Sequence, residues 1–191
     1  MKNESPLEPL LKQIGGAMTV TKALEESLAG VANIRYYPQG FVLVKAGEVV
    51  QSLAVMLKGM AHASSSETGT ETSYWFATES HLLTPAVKNG RDIIAPHNVT
   101  ILEDSFIAFI PYTELNKIIH QEPGFARAVQ QLQEKYNNNI ALREYLKKQD
   151  ARQRMRSLTE HFPGLQHKAH IRRMASYLEI TPEEYKQLAT L

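Results

Sequence analysis

The chain has 191 residues, 43% of them hydrophobic, and a formal net charge of +1. This length suits one large or two small domains with real cores. The sequence contains no cysteine, which excludes disulfides and thiolate-bound metals or iron–sulfur clusters. No run approaches the ~18 uninterrupted apolar residues of a membrane span, and the first residues lack the apolar core of a signal peptide. We therefore expect a cytoplasmic protein without membrane contact.

The charge is unevenly distributed along the chain. Residues 1–122 hold 9 basic and 13 acidic side chains, whereas residues 123–191 hold 12 and 7. The basic residues are densest between Lys147 and Arg173. Such a difference is typical of a carboxyl-terminal part that meets a polyanion, but a solvated helical surface has a similar composition.

Two short helices, then a series of strands and a third short helix from Tyr112 to His120 are predicted for the first 122 residues. One apolar stripe at helical spacing stops at Gly15-Gly16 and a second stops at Gly30. Short apolar runs separated by turn residues such as Lys58-Gly59 follow. The predicted strands are Ile34–Tyr37, Phe41–Val44, Leu53–Leu57, Thr72–Ala77, Val99–Leu102 and Phe106–Ile110. Many short strands at this spacing indicate a sandwich or jelly roll.

The longest stretch without an internal helix breaker runs from Pro123 to Gln149 and predicts a long helix. One of its faces is apolar at first and then polar. The residues of this face are Phe125, Val129, Leu132, Tyr136, Asn139 and Arg143. The face packs either on the helix's own domain or on the same face of a second chain, where the two polar residues would fix the register. These six residues are the candidate dimer interface.

Three further helices are predicted after Gln149. They cover Asp150 to about Phe162, Lys168–Leu178 and Pro182–Leu191. A tight turn at Glu179-Ile180-Thr181 separates the last two. Thr181 is placed as the N-cap of the last helix, and Glu184, three residues later, closes a capping box.

In this order, the elements and several motifs resemble the Crp–Fnr family of bacterial transcription regulators. The motifs are Pro38–Glu48, Val55–Gly59, Thr72–Ala77, Leu102–Phe106 and Ala175–Glu183. The resemblance covers nearly the whole chain. It implies an α+β fold with an antiparallel β-roll of the jelly-roll, cyclic-nucleotide-binding type, a dimer helix and a winged-helix-like helix–turn–helix domain. The expected domains are residues 1–122 for effector sensing, 123–149 for dimerisation and 150–191 for DNA binding.

The residues that hold a cyclic nucleotide in this family are not matched here. Aligning Phe106–Ile110 with the family's last roll strand places Thr84-Pro85 where relatives have Gly-Glu. Ala95-Pro96 then stands where they have Arg followed by Ser or Thr. A cyclic phosphate requires a cation and backbone N–H donors, which Ala95 and Pro96 do not supply. We predict that cyclic nucleotide does not bind and that the effector is unknown. Candidate pocket residues are Trp75, Leu83, Thr84 and Arg91.

The second helix of the helix–turn–helix also departs from the family. Its early residues, which face base edges in such proteins, include two adjacent glutamates, and relatives often have Ser or Thr and Arg where this chain has Lys186 and Gln187. Glu179 stands where the turn usually has glycine, because the position tends to need a positive φ. The candidate DNA-binding residues are Lys168, Arg172, Arg173, Thr181, Glu183, Glu184, Lys186 and Gln187, with further cations at Arg152, Arg154 and Arg156.

No catalytic residue, metal site or cofactor is predicted. The polar loop around Ser64–Thr70 contains no nucleophile signature, and only His167 and His170 among the seven histidines have helix-compatible spacing. Two function classes stay open. The first is a homodimeric regulator that binds double-stranded DNA. The second is a degenerate dimeric sensing or interaction module that keeps the fold but binds neither DNA nor cyclic nucleotide.

Overall fold

A computed structural model describes residues 5–67, 69–86, 93–122 and 124–190. Arg91, one of the predicted pocket residues, lies outside these ranges. The elements in chain order are α1 (Glu8–Gly15), α2 (Lys22–Val31), β1 (Asn33–Tyr37), β2 (Val42–Val44), β3 (Val49–Val50), β4 (Ser52–Glu67), β5 (Thr70–Ala77), β6 (Ile93–Ile94), β7 (Asn98–Pro111), α3 (Tyr112–Gln121), α4 (Phe125–Leu146), α5 (Ala151–His161), α6 (Leu165–Lys168), α7 (Ile171–Leu178) and α8 (Pro182–Ala189).

The strands form an antiparallel roll. Its main sheet has the order β1-β7-β4-β5, and β2 also pairs with β7. Strands β3 and β6 form a separate ribbon. The helices precede and follow the roll, so the predicted α+β class is confirmed. Among the described residues, no helix combines the length and the apolar character needed to cross a membrane.

Strands β4, β5 and β7 of the main sheet are longer than the sequence predicted. The prediction of a turn at Lys58-Gly59 is wrong, because β4 continues through it as a bulge where the register with β7 shifts. Gly59 has φ +117°, and a Cβ there would meet the side chain of Ser105 and lie 2.9 Å from its Cα. Glycine at position 59 therefore allows β4 and β7 to approach each other closely. Likewise, the two strands predicted for residues 99–110 are the single strand β7.

The helices follow their predicted order with different ends. Glu122 has an extended backbone, and α4 begins after it at Phe125. Helix α4 ends at Leu146, whereas the sequence predicted an end at Gln149. The short helix α6 was not predicted, since four residues are too few for a periodic signal. Helix α7 begins at Ile171 instead of Lys168 because His170 is its N-cap, with Nδ1 accepting a hydrogen bond from Arg172 N at 3.2 Å.

Two apolar clusters position the functional parts. The first joins the roll to α1, α2, α3 and the first half of α4. The second joins Met60, Phe76 and Leu102 of the roll to α5, α6, α7 and α8. The carboxyl-terminal helices are thus packed on the roll through a shared core.

Replacing Gly59 with alanine tests the strand bulge. Gly59→Ala combines a strained positive φ with an overlap against Ser105, so we expect the free energy of unfolding to fall by about 3 kcal/mol. Gly40→Ala is the control, because Gly40 also has a positive φ, +84°, but has open space around it and should lose only about 1 kcal/mol. Equal losses in urea titrations of the two variants would contradict the overlap.

Candidate functional site

The helix–turn–helix consists of α7, the turn at residues 179–181 and α8. Thr181 Oγ1 accepts a hydrogen bond from Glu184 N at 3.1 Å, and the Glu184 carboxylate accepts one from Thr181 N at 2.7 Å. The predicted capping box is therefore present. Glu179 ends α7 in the left-handed conformation, with φ 53° and ψ 48°, as the resemblance to the Crp–Fnr family predicted for this position. Tyr185 of α8 packs on Met174 of α7.

An aromatic cluster docks the helix–turn–helix on the roll. The ring of Phe76 on β5 lies 5.2 Å from that of Tyr177 and 5.8 Å from that of Phe162, between ring centroids. Each of the three side chains is at most 1% exposed. Such tilted pairs contribute roughly 0.5–1.5 kcal/mol each beyond the burial of their area. Moving the helices away from β5 would expose all three rings.

Polar contacts surround this cluster and use cations that were predicted to hold phosphates. Ser73 N donates to Ser176 Oγ at 3.0 Å, which itself donates to Glu71 O at 3.2 Å. Arg173 Nε lies 3.2 Å from Glu71 Oε2, and Lys168 Nζ lies 2.6 Å from an oxygen of Glu103. Two of the predicted phosphate contacts are therefore paired with acidic residues of the roll.

Arg143 connects α4 to the turn of the helix–turn–helix. Its Nη2 donates to Glu179 Oε1 at 2.8 Å, and its Nε donates to Tyr177 O at 3.3 Å. Lys147 adds a second cation 3.0 Å from the same carboxylate oxygen. The side chain of Arg143 is only 9% exposed, and its guanidinium lies over the ring of Tyr74. The Glu179 carboxylate thus pairs with the nearly buried guanidinium of Arg143. This ion pair offsets the free-energy cost of the left-handed backbone conformation at Glu179.

The six residues predicted for a dimer interface all contact their own chain. Phe125, Val129 and Leu132 are 1–2% exposed in the first apolar cluster, and Tyr136 packs against it. Asn139 Nδ2 donates to Phe76 O at 2.9 Å. Of the two interpretations of this face, the structure shows packing on the helix's own domain. The polar positions Asn139 and Arg143 therefore have hydrogen-bond partners within the chain itself, and their role in a dimer stays a prediction.

The predicted DNA-reading residues lie on an exposed helix. Glu183, Lys186 and Gln187 are exposed on α8, and Arg172 is exposed on α7. The Glu184 carboxylate is engaged in the cap, and the hydrogen bond from Thr181 N lowers its pKa. Among the three cations of α5, Arg154 donates to Leu178 O and supports the end of α7. Arg152 and Arg156 are exposed and line a groove of about 450 Å³ against Tyr185 and Leu188 of α8.

The roll contains an apolar pocket of about 240 Å³. The predicted residues Trp75, Leu83 and Thr84 line it, together with Ala95 and Pro96. Thr84 Oγ1 is already engaged, because it donates to Ser52 O at 2.9 Å and accepts from Ala54 N at 2.7 Å. The side chains that were aligned with the family's phosphate ligands therefore form an apolar wall.

The pocket residues that the sequence did not predict include three from its sides, Tyr136, Ile140 and His97. Tyr136 and Ile140 of α4 cover one side, and His97 lines the wall. Burial raises the pKa of Tyr136 to about 12 and lowers that of His97 below its ordinary value. His97 stacks on Tyr74 with ring centroids 3.7 Å apart. No local pattern marks these residues, since the pocket exists only where α4 crosses the roll.

The side chains of Ser73, His62 and Glu71 lie in a row under α7, and a substrate cannot reach the buried Ser73 and His62. His62 Nε2 is 2.8 Å from Ser73 Oγ, and its Nδ1 is 3.8 Å from Glu71 Oε1. Both His62 and Ser73 have no exposed surface. Burial, and then the nearby charge of Arg173, lowers the pKa of His62 to about 4. The imidazole is therefore a neutral part of the interface between the roll and α7.

A β-roll joined by a long helix to a helix–turn–helix is the architecture of the Crp/Fnr transcription regulators, and the similarity to solved structures shows that the chain has this fold. It is similar to FixK2 from Bradyrhizobium japonicum, with a TM-score of 0.69 and 11% identity over 84% of this chain and 83% of that chain. It is also similar to the c-di-GMP-responsive regulator CLP from Xanthomonas campestris, with a TM-score of 0.64 and 14% identity over 86% and 88%. A third similar structure is described as a Crp/Fnr regulator from Eubacterium rectale, with a TM-score of 0.64 and 11% identity over 90% and 82%.

Neither a protein-family model nor a curated protein matches the sequence. The low identities mean that the likeness to the solved structures concerns the fold. The Crp–Fnr resemblance predicted from the sequence is confirmed at that level.

The buried histidine predicts a pH dependence of stability. Because the pKa of His62 is about 4 in the folded state and near 6.5 in the unfolded state, the unfolded chain binds the extra proton between these values. The free energy of unfolding should therefore fall as the pH decreases from about 6.5 to 4, with His62 contributing roughly 1 kcal/mol per pH unit. His62→Gln should flatten this part of the curve. His120→Gln, at an exposed position, should leave the slope unchanged, and an equal slope in wild type and His62→Gln would contradict the prediction.

The conformation of Glu179 predicts an unusual order of stabilities. Glu179→Ala and Glu179→Gly both lose the ion pair with Arg143, but only alanine keeps the strain of the left-handed conformation. We expect the alanine variant to be less stable by about 1 kcal/mol in urea unfolding. At the helical position Glu183 the order should reverse, with alanine more stable than glycine. The same order at both positions would refute this account.

Proposed function

We propose that the chain is a homodimeric, cytoplasmic transcription regulator that binds double-stranded DNA through α8 and is not controlled by cyclic nucleotide. The observation that carries this proposal is the exposed, capped helix α8 flanked by the exposed Arg152 and Arg156. In helix–turn–helix proteins the second helix enters the major groove while neighbouring cations contact phosphates.

The charges around α8 are compatible with a polyanion despite its two glutamates. Glu184 closes the capping box, so its carboxylate already accepts hydrogen bonds within the chain. Glu183 is left as the exposed acidic residue near the start of a helix whose amino end carries a partial positive charge. Lys186, Arg152, Arg156 and Arg172 are exposed cations of the same carboxyl-terminal helices. Three or four phosphate contacts per chain, doubled in a dimer, would give salt-sensitive binding.

The pocket supports the absence of control by cyclic nucleotide. Among the described residues that line it, none carries a charge that could pair with a phosphate. Transferring an anion into an apolar pocket without such a partner costs several kcal/mol. In this proposal the roll binds either a different effector or none.

The homodimer rests on the symmetry of DNA recognition by such folds, in which two helix–turn–helix units contact half-sites about one turn of the duplex apart. The predicted face of α4 is occupied within the chain, so a second copy would have to use other surfaces. On α4 the exposed large apolar side chains are Ile140 and Tyr145, 37% and 61% exposed. Ile140 and Tyr145 are therefore the candidates for a contact between the α4 helices of two chains.

The second candidate is an interaction module that no longer binds DNA. Lys168 and Arg173 favour it, because the acidic residues Glu103 and Glu71 of the roll already pair with them. In this alternative the basic carboxyl-terminal part serves to dock the helices on the acidic roll.

A duplex titration separates the two candidates. Binding of a fluorescent 30-base-pair duplex, followed by anisotropy between about 50 and 200 mM salt, should weaken steeply as salt rises. The double variant Arg152→Gln/Arg156→Gln should lower the affinity and reduce the slope of log affinity against log salt by about 2 per chain. Lys12→Gln/Lys22→Gln, on α1 and α2, is the charge-matched control and should behave as wild type.

The outcomes have distinct meanings. Absence of binding at low salt would reject the regulator and favour the interaction module. Equal slopes for the arginine variant and the control would show that α5 does not contact phosphates. Sedimentation of the complex adds the stoichiometry: two chains per duplex support the homodimer, whereas one chain per duplex rejects it and leaves DNA binding intact.

A further inference from the structure

We propose that the outer edge of β1 binds an extended segment of a partner protein as an added antiparallel strand. This segment carries apolar side chains on one face and an acidic side chain opposite Arg35. Strand β1 covers five residues, Asn33 to Tyr37, and lies at one end of the main sheet. None of the candidate DNA-binding residues lies on β1, so the inference goes beyond the proposed function and does not rest on it.

The two edge strands of the main sheet, β5 and β1, differ in what covers them. On β5, Ser176 Oγ accepts a hydrogen bond from Ser73 N at 3.0 Å and donates one to Glu71 O at 3.2 Å. Asn139 Nδ2 donates to Phe76 O on the same strand. On β1, the described part of the chain forms backbone hydrogen bonds only through β7. Side chains therefore cover the edge of β5, whereas the outer edge of β1 is free of such contacts within the described ranges.

The free edge of β1 offers a regular row of backbone donors and acceptors. In an antiparallel strand, alternate residues direct their N–H and C=O groups to the same side. Every second residue of β1 therefore directs both groups away from β7. Residues 33–36 are all exposed, and Tyr37 is half-buried. Such a row is a template for another strand, so the backbone favours an extended occupant over a helix.

Three apolar side chains continue along one face of this edge. Ile34 and Tyr36 share a face of β1, and Phe106 of β7 is the register partner of Tyr36. The three residues are 36%, 52% and 45% exposed, and the rings of Tyr36 and Phe106 lie 5.6 Å apart between centroids. A strand added to β1 would place two of its side chains directly across from Ile34 and Tyr36. Aromatic and β-branched pairs stabilise such a position, so we expect apolar residues there.

Arg35 sets the charge of the occupant. It lies on the opposite face of β1 and is exposed. Its hydrogen bond in the described part of the chain runs from Nε to Asn33 Oδ1, at 3.1 Å. Opposite charges directly across a strand pair are stabilising and like charges are destabilising. The added strand should therefore carry Asp or Glu opposite Arg35.

The same arginine disfavours a second copy of this chain as the occupant. When the five residues of β1 pair antiparallel with the same five residues of another copy, Arg35 lies opposite itself. The like charges destabilise this register, which has the longest overlap. A partner of different sequence does not have this cost.

The experiment titrates fluorescein-labelled peptides with the intact chain. The parent peptide has the core Thr-Val-Glu-Val-Thr, which places valines across from Ile34 and Tyr36 and the glutamate across from Arg35. We expect a saturable rise in anisotropy and slower backbone hydrogen exchange of residues 33–37 when the peptide is bound. A peptide with lysine in place of the glutamate should bind about two- to fivefold more weakly.

Two N-methylated peptides test the backbone contact. One is methylated on the backbone nitrogens of both valines, and the other on those of the glutamate and the last threonine. In an antiparallel pair only one of these two sets faces β1. One peptide should therefore bind about as well as the parent, and the other about tenfold or more weakly, because it lacks the hydrogen bonds to β1. Equal affinities would contradict strand addition.

Variants of the chain test the charge. Arg35→Glu should bind the lysine peptide more tightly than the glutamate peptide, and Arg35→Gln should bind the two equally. Lys148→Glu, at an exposed position after α4, makes the same kind of change and should keep the wild-type preference. The midpoint of thermal unfolding shows whether each variant is folded. If Arg35→Glu does not fold, Arg35→Gln and the methylated peptides decide the question.

Two occupants from this protein itself are tested separately. Ser5 and Pro6 line a groove of about 490 Å³ together with Ile34 and Phe106, and residues 1–4 lie outside the described ranges. A variant that lacks residues 1–4 should bind the parent peptide as wild type does. Much tighter binding would assign the edge to the amino-terminal segment and overturn the proposal. Self-association that is lost in Tyr36→Ser would assign the edge to a second copy and also overturn it.

The remaining outcomes concern the parent peptide and wild type. Absence of binding would overturn the proposal, and so would binding without slower hydrogen exchange of residues 33–37. DNA binding is measured without peptide. Failure here therefore leaves the regulator proposal standing, and failure of the duplex titration leaves the strand-addition site standing.

Discussion

The structure depends on the packing of Phe162 and Tyr177 against Phe76 of β5. Residues 150–190 form a unit of about 40 residues, a size at which an isolated core is usually too small for stability. The chain has no cysteine, so no disulfide stabilises this unit. It instead shares the second apolar cluster with the roll. This shared core explains why the helix–turn–helix has a fixed position relative to the pocket.

The ion pairs at the same interface have a different role. Lys168–Glu103 and Arg173–Glu71 are partly exposed, and such pairs contribute only about 0–1 kcal/mol each. They orient the docked helices, while the aromatic cluster supplies most of the stability. A phosphate backbone could compete for either cation at a small cost, because the apolar contact would remain. The intramolecular pairing therefore weakens, but does not remove, the argument for DNA binding from the basic carboxyl-terminal part.

Arg143 brings together the parts of the chain that the proposed function needs to connect. It lies on α4, contacts Tyr74, which stacks on the pocket residue His97, and binds Glu179 in the turn before α8. Its side chain is nearly buried, so the loss of the Glu179 carboxylate would leave its charge with only the exposed and more distant carboxylate of Glu144, at 3.9 Å. The arrangement connects the roll pocket to the turn before α8 through a short series of side-chain contacts.

The sequence by itself determined the features that depend on a few neighbouring residues. The capping box at Thr181 was predictable because hydrogen bonds between neighbouring residues produce it. The left-handed position at Glu179 and the order of roll and helices were predicted from the resemblance to the Crp–Fnr family. Only the tertiary structure decided which surface the apolar face of α4 covers, that Gly59 serves a bulge, and that Lys168 and Arg173 pair with the roll. Helical periodicity shows that a face is apolar but not what it packs on. The partners of His97, Arg143 and Arg173 come from segments distant in sequence, where no local signal identifies them.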